Sequence, residues 1–345
     1  MFMRPSIAFV ALALAAALPA CGGDDDSPAD SPSASTPAAT ASAAPERPLI
    51  VATTTQLADI VANVAGDGAE LHRILQANSD PHEYEPRPDD VKATAGAKVV
   101  FESGNELDHW MEEVVKEAGG DAEEVAIAPD HTPYKVAGEE EEEHEGEEEE
   151  EGHDHGDAEF DPHWWHDPCN VESAVATIRD ALIEAEPANA DLYRANADVY
   201  LVKVKTLDTG IQACMDQVPA DQRKLVTSHD AFNYFTERYG ITVVGAVIPS
   251  QSTQAQPSAR SIAKLADLVR KEQVKAVFPE SSINPDLATT LARETGARAD
   301  LVLYGDTLGP EGSDGDTYLK MEAANANAMV TGFTGGAQGC AIDGI

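Results

Sequence analysis

Four short stretches of this 345-residue chain gather side chains able to bind a divalent cation or to move a proton. DPHEYEPRPDD, residues 80 to 90, stiffens the backbone around His82 with Pro81 and Pro86. DPHWWHDP, residues 161 to 168, packs His163, His166, Trp164, Trp165, Asp161 and Asp167 into eight positions. TSHDAFNYFTERYG, residues 227 to 240, sets His229 after the apolar run KLVT and ahead of Phe232 and Phe235, and LYGDTLG, residues 303 to 309, places Asp306 just beyond ADLVLY. Neutral imidazole and carboxylate are ligands for zinc and its neighbours. Taken singly, each histidine also reads as a packing or surface residue, and Asp306 as the cap of a turn.

The elements that would have to position these groups alternate. LIVAT (49–53) reads as a strand, and Leu57, Ile60, Val61 and Val64 follow at helical spacing before a glycine stop. The same unit recurs as a helix over 88–96 before AKVVFES, 105–118 before EEVAIAP, 257–272 before VKAVFPE and 285–295 before ADLVLYG. Alternation of this kind predicts an α/β protein: two lobes, each a mostly parallel sheet flanked by helices. Between the two groups Pro187 divides a helical segment. After it Tyr193, Ala197, Tyr200, Val204, Leu207, Ile211 and Cys214 step by four and three, the seam of one long rigid helix, on the order of 40 Å, joining the lobes.

The ends and one insert stand apart. Residues 1–21, with Arg4, an apolar run from Ile7 to Leu18 and small residues before Cys21, read as a secretory signal too short to span a membrane. LPAC resembles a bacterial lipobox that would lipidate Cys21, although Pro19 is atypical there and ordinary cleavage is the alternative. Residues 22–47 have nothing to bury and read as a disordered tether. The expected bodies are an N-terminal lobe over 48–168, connecting helices over 169–218 and a C-terminal lobe over 219–345. The acidic loop 138–159 lies within the first and carries His144, His153 and His155, which either collect cations weakly or are incidental. Formal net charge is −39; residues 139–159 hold fourteen acidic groups and no Lys or Arg, leaving −25 elsewhere. So acidic a chain excludes nucleic acid as a partner. An oxidising location permits one disulfide among Cys169, Cys214 and Cys340; Cys214 with Cys340 is favoured because Cys169 adjoins a motif, and three reduced thiols are the alternative.

In order and placement the four motifs resemble those of the metal-binding solute-binding proteins of bacterial zinc and manganese ABC importers, from about Leu49 to Gly335. The resemblance implies one divalent metal held by His82, His163, His229 and Asp306, two ligands from each lobe. It also implies a permease with its cytoplasmic ATPase as partner. Glu280 in FPESSINP matches a glutamate near that family's site and takes a supporting role. His166 departs from the family, whose corresponding position is commonly apolar; it is expected to support a ligand through a hydrogen bond, or else to be a surface residue or alternate ligand. Three imidazoles and one carboxylate complete a zinc tetrahedron, and His229 in place of glutamate favours Zn²⁺, with Mn²⁺ as the alternative.

The protein expected is therefore no enzyme but a monomeric, lipid-anchored extracytoplasmic binding component that delivers metal to a membrane permease. A zinc hydrolase would need an open coordination position and a neighbouring base, and no HExxH is present. A surface adhesin with a structural metal is the other class; tight one-to-one metal binding that survives removal of residues 139–157 distinguishes the importer reading. Imidazole ligation implies loss of affinity below about pH 6.

Overall fold

The computed structural model describes residues 47–128 and 160–345. Cys21 and its lipobox, nearly all of the tether, and the acidic loop with its three histidines lie outside the described residues. Among those described, no helix is long and apolar enough to cross a membrane.

The first lobe is built on a four-stranded parallel sheet of β1 (Leu49–Ala52), β2 (Glu70–Arg73), β3 (Val99–Glu102) and β4 (Glu123–Ala126), in the order β2-β1-β3-β4. β1 and β3 are central and almost wholly apolar, as strands covered on both faces must be. α1 (Thr55–Ala65) starts where the Thr54 hydroxyl accepts the Leu57 N–H, and it buries Leu57, Ile60, Val61 and Val64. α2 (Pro88–Gly96) begins with proline at its first turn, where no N–H is needed.

The helix expected over 105–118 exists only as α3 (Met111–Ala118). Ahead of it the buried Asp108 carboxylate accepts the N–H groups of Ser103 and Gly104, at 2.6 and 3.0 Å, and the Thr53 hydroxyl. That capture holds Asn105 and Glu106 at positive φ, which a helix cannot contain.

α4 (Pro168–Ala185) is capped by Asp167, whose carboxylate accepts the Cys169 N–H at 2.8 Å. Pro187 then turns the chain into α5 (Ala190–Met215), 26 residues and so about 39 Å long. Its buried face is the seam read from the sequence, Tyr193 to Cys214. Near its start, Tyr193 Oη and Asn196 Nδ2 donate to the carbonyls of Gly68 and Val64 in the first lobe. Near its end, Asp208 takes two hydrogen bonds from Arg238 and one from Tyr239, and Cys214 forms a disulfide with Cys340, Cα atoms 5.7 Å apart. Cys169 is free and exposed.

In the second lobe, β5 (Lys224–His229) pairs in parallel with β6 (Thr242–Ile248), with α6 (Asn233–Tyr239) between them. α7 (Ala259–Lys271), α8 (Asp286–Thr295) and α9 (Tyr318–Phe333) complete it. The strands expected at VKAVFPE and ADLVLYG appear only as isolated parallel bridges, Thr227 to Phe278, Ala276 to Arg298 and Glu280 to Leu303. Pro279 has no N–H to donate, and the hydrogen bonds at Arg298 and Leu303 are not continued between them. The rows still lie side by side, so the residues at their ends, Glu280 and Asp306, arrive together beside β5.

One core of buried side chains runs from β1 and α1 through α4 and α5 to β5 and α9. Smaller clusters lie beneath α2 and α3 and between α7, α8 and the second sheet.

Candidate metal site

Each candidate side chain sits where an element ends. His82 lies in a single turn, Pro81–Glu83, capped by Asp80, whose Oδ1 accepts the His82 N–H at 2.9 Å. The turn is fixed from below by Trp110, whose Nε1 donates to the Pro81 carbonyl at 3.1 Å. His163 precedes the turn Trp164–His166, His229 is the last residue of β5, and Asp306 follows the bridge at Leu303.

These four residues converge. Each offers one ligand atom, and the four atoms lie within 4.8 Å of one another. Asp306 Oδ1 is 3.2 Å from His163 Nε2, and Oδ2 is 3.2 Å from His229 Nε2 and 3.8 Å from His82 Nε2. A tetrahedron of zinc–ligand bonds has edges of about 3.3 Å, so the spacing suits four donors around one ion. The three Nε2 atoms and both Asp306 oxygens are buried without a hydrogen bond of acceptable geometry. Five such atoms facing one another are costly unless a cation satisfies them.

Two of the rings are oriented by carboxylates. Asp161 Oδ1 accepts both the backbone N–H of His163, at 2.9 Å, and its Nδ1, at 2.7 Å. Asp161 is itself held by Asn233 Nδ2 at 3.1 Å. Glu280 Oε1 accepts the His229 N–H at 2.8 Å, and its Oε2 lies 2.8 Å from His229 Nδ1 as an ion pair outside hydrogen-bond geometry. Both contacts leave Nε2 aimed at the shared space. A Cβ at Gly305 would meet Glu280 Oε2, so glycine there leaves that carboxylate room beside His229.

The same charges set the proton affinities. Burial works against a charged His163, but the Asp161 and Asp306 carboxylates outweigh it and raise its pKa to about 9. His229 is raised well above its ordinary value in the same way, burial being outweighed by Asp306 and Glu280. Asp306 is buried too, yet the two imidazolium rings hold it well below the usual carboxylate range. His82 has no orienting carboxylate, and burial lowers it to about 3.

Trp165 packs edge-on against His163, centroids 5.5 Å apart, and donates to the Gly305 carbonyl at 3.2 Å, so it walls the site. Trp164 turns to the first lobe and donates to Ser103 Oγ at 3.0 Å. His166 does not join the four, although its backbone N–H donates to the His163 carbonyl at 3.3 Å. Its Nδ1 is 2.7 Å from Glu322 Oε1 on α9, and its ring stacks on Phe232 at 4.4 Å. Its imidazole is claimed by a partner 156 residues away, at a distance no local pattern reveals.

The lobes are also bonded across the site by three residues outside the four motifs, each pairing with a residue inside one. Gln56 Nε2 donates to the Gly305 carbonyl at 3.2 Å, the Leu308 N–H donates to Thr55 Oγ1 at 2.8 Å, and Thr253 Oγ1 donates to Asp80 Oδ2 at 2.7 Å.

Two α/β lobes on a long helix, with three imidazoles and a carboxylate facing inward between them, define a solute-binding protein of the metal ABC transporter class rather than an enzyme. The chain belongs to the family described as zinc-uptake complex component A, periplasmic, whose model matches residues 50–332. Among curated proteins it is 31% identical to the manganese-binding lipoprotein MntA of Halalkalibacterium halodurans, over 83% of this chain and 88% of that protein. It is also 31% identical to the iron-binding protein YfeA of Yersinia pestis, over 82% and 86%. Among solved structures, the periplasmic zinc-binding protein TroA from Treponema pallidum superposes with a TM-score of 0.72 at 26% identity, covering 83% of this chain and 99% of that one.

Proposed function

We propose that the protein captures Zn²⁺ with His82, His163, His229 and Asp306 and delivers it to a membrane permease driven by a cytoplasmic ATPase. The observation that carries this reading is the convergence of three imidazole Nε2 atoms and one carboxylate, all buried and none otherwise satisfied. Three nitrogen donors and one carboxylate suit zinc better than the oxygen-preferring ions, and zinc stands above manganese in intrinsic affinity. Glu280 and Asp161 act by holding His229 and His163 in the tautomer that presents Nε2. The protein works as an extracytoplasmic monomer, tethered through lipid on Cys21, which keeps the loaded form close to its permease.

Manganese is the second reading, favoured by the name of the relative MntA. Elemental analysis of protein stripped with a chelator and reloaded from an equimolar Zn²⁺ and Mn²⁺ mixture, followed by competitive titration, separates the two. One zinc per chain supports the proposal, whereas one manganese held against competing zinc overturns it.

A further inference from the structure

Three of the four proposed ligands have fully buried side chains; His82 alone retains solvent exposure, at 9%. It is also the ligand whose ring no carboxylate orients, so its place is set by its backbone. The restraints on that backbone lead across to the second lobe. The segment 249–257, which leaves β6, is anchored at its base beside His229, where the Ser250 carbonyl accepts the Asp230 N–H at 3.1 Å. Its tip reaches the other side of the site. The hydroxyl of buried Thr253 donates to Asp80 Oδ2, the carboxylate whose other oxygen caps the His82 turn, and Gln254 Nε2 donates to the His82 carbonyl itself.

We propose that Thr253 and Gln254 form a latch over the exposed edge of the site, and that their two bonds to the His82 turn set how fast the ion leaves. This rests on the zinc-binding reading above. Neither residue contributes an atom to the ligand set, so the latch governs the rate of release and not the geometry of the shell. When the tip lets go, His82 is free to move with the first lobe, and the ion loses the one imidazole that no carboxylate holds. His163 and His229 remain held by Asp161 and Glu280.

The test is chelator-driven release followed by stopped flow from Zn²⁺-loaded full-length protein, with the Co²⁺-substituted electronic spectrum as the readout of geometry. Thr253→Val with Gln254→Ala is expected to release zinc at least about tenfold faster, with the Co²⁺ bands unmoved. Thr253→Ser alone, which keeps the hydroxyl, is expected to retain the parent rate. Release from the double variant within twofold of the parent overturns the latch, as does a shifted Co²⁺ spectrum, which would make the segment part of the shell's geometry. Parent protein that binds no zinc one-to-one overturns instead the functional reading on which the latch depends.

Discussion

At the scale of the residue, metal and protons would compete for two of the three imidazole nitrogens proposed as ligands, those of His163 and His229. With His163 raised to about 9 and His229 raised well above its ordinary value, both rings are protonated in the metal-free site at neutral pH. Loading must expel those protons. Apparent zinc affinity is therefore expected to keep rising with pH from 7 to about 9, instead of levelling off just above the pKa of a free imidazole. Proton release, measured by calorimetry in buffers of different ionisation enthalpy, should exceed one per zinc at pH 7. Affinity flat between pH 7 and 9 would contradict the arrangement. The metal-free protein should show the opposite slope. A folded-state pKa above the ordinary 6.5 contributes stability that is complete below 6.5 and lost as pH rises through about 9. Denaturant unfolding of the stripped protein at pH 6.5 and 9, compared with a His163→Gln variant, isolates that contribution. Glu280→Gln should lower zinc affinity by about 10- to 100-fold with one ion per chain retained, because the ligand stays and only its orientation weakens.

At the scale of the element, α5 carries the two lobes on one buried seam. Leu207 and Val204 are fully buried on it, and Leu207→Ala should cost about 2–5 kcal/mol of unfolding free energy, measurable by denaturant titration. The Cys214–Cys340 disulfide ties the far end of the same helix to the chain's last segment across 126 residues. Replacing both cysteines with serine should remove about 2–5 kcal/mol with metal stoichiometry unchanged, since neither cysteine is among the four proposed ligands. The periodicity of α5 was plain in the sequence because a helix seam is a local pattern, repeating every three or four residues. The start of α3 was not, because a buried Asp108 five residues on from Ser103 claimed the backbone N–H groups first. Nor did apolar runs reveal that the last two rows of the second sheet would pair only at isolated bridges. Alternation signals an extended chain, but regular pairing depends on which N–H groups are available opposite it.

At the scale of the whole molecule, the proposed ligands span 224 positions from His82 to Asp306, so an ion held by all four would tie together parts of the fold that are distant in the chain. Zinc that binds only the folded arrangement must stabilise it by mass action. The melting temperature is expected to rise with zinc concentration and to return on adding chelator; a His229→Ala variant should lose most of that rise. Histidines, carboxylates and their order along the chain, the alternation of strand and helix, and the long connecting seam were all legible in the sequence, because each is a matter of residue type or short-range spacing. Tertiary structure alone decided which ligand Glu280 reaches, that the His166 ring turns away to Glu322, and that Thr253 and Gln254 reach over His82. Those outcomes are contacts between residues far apart in the chain, and only the packing of the two lobes around one shared core brings such partners within hydrogen-bonding distance.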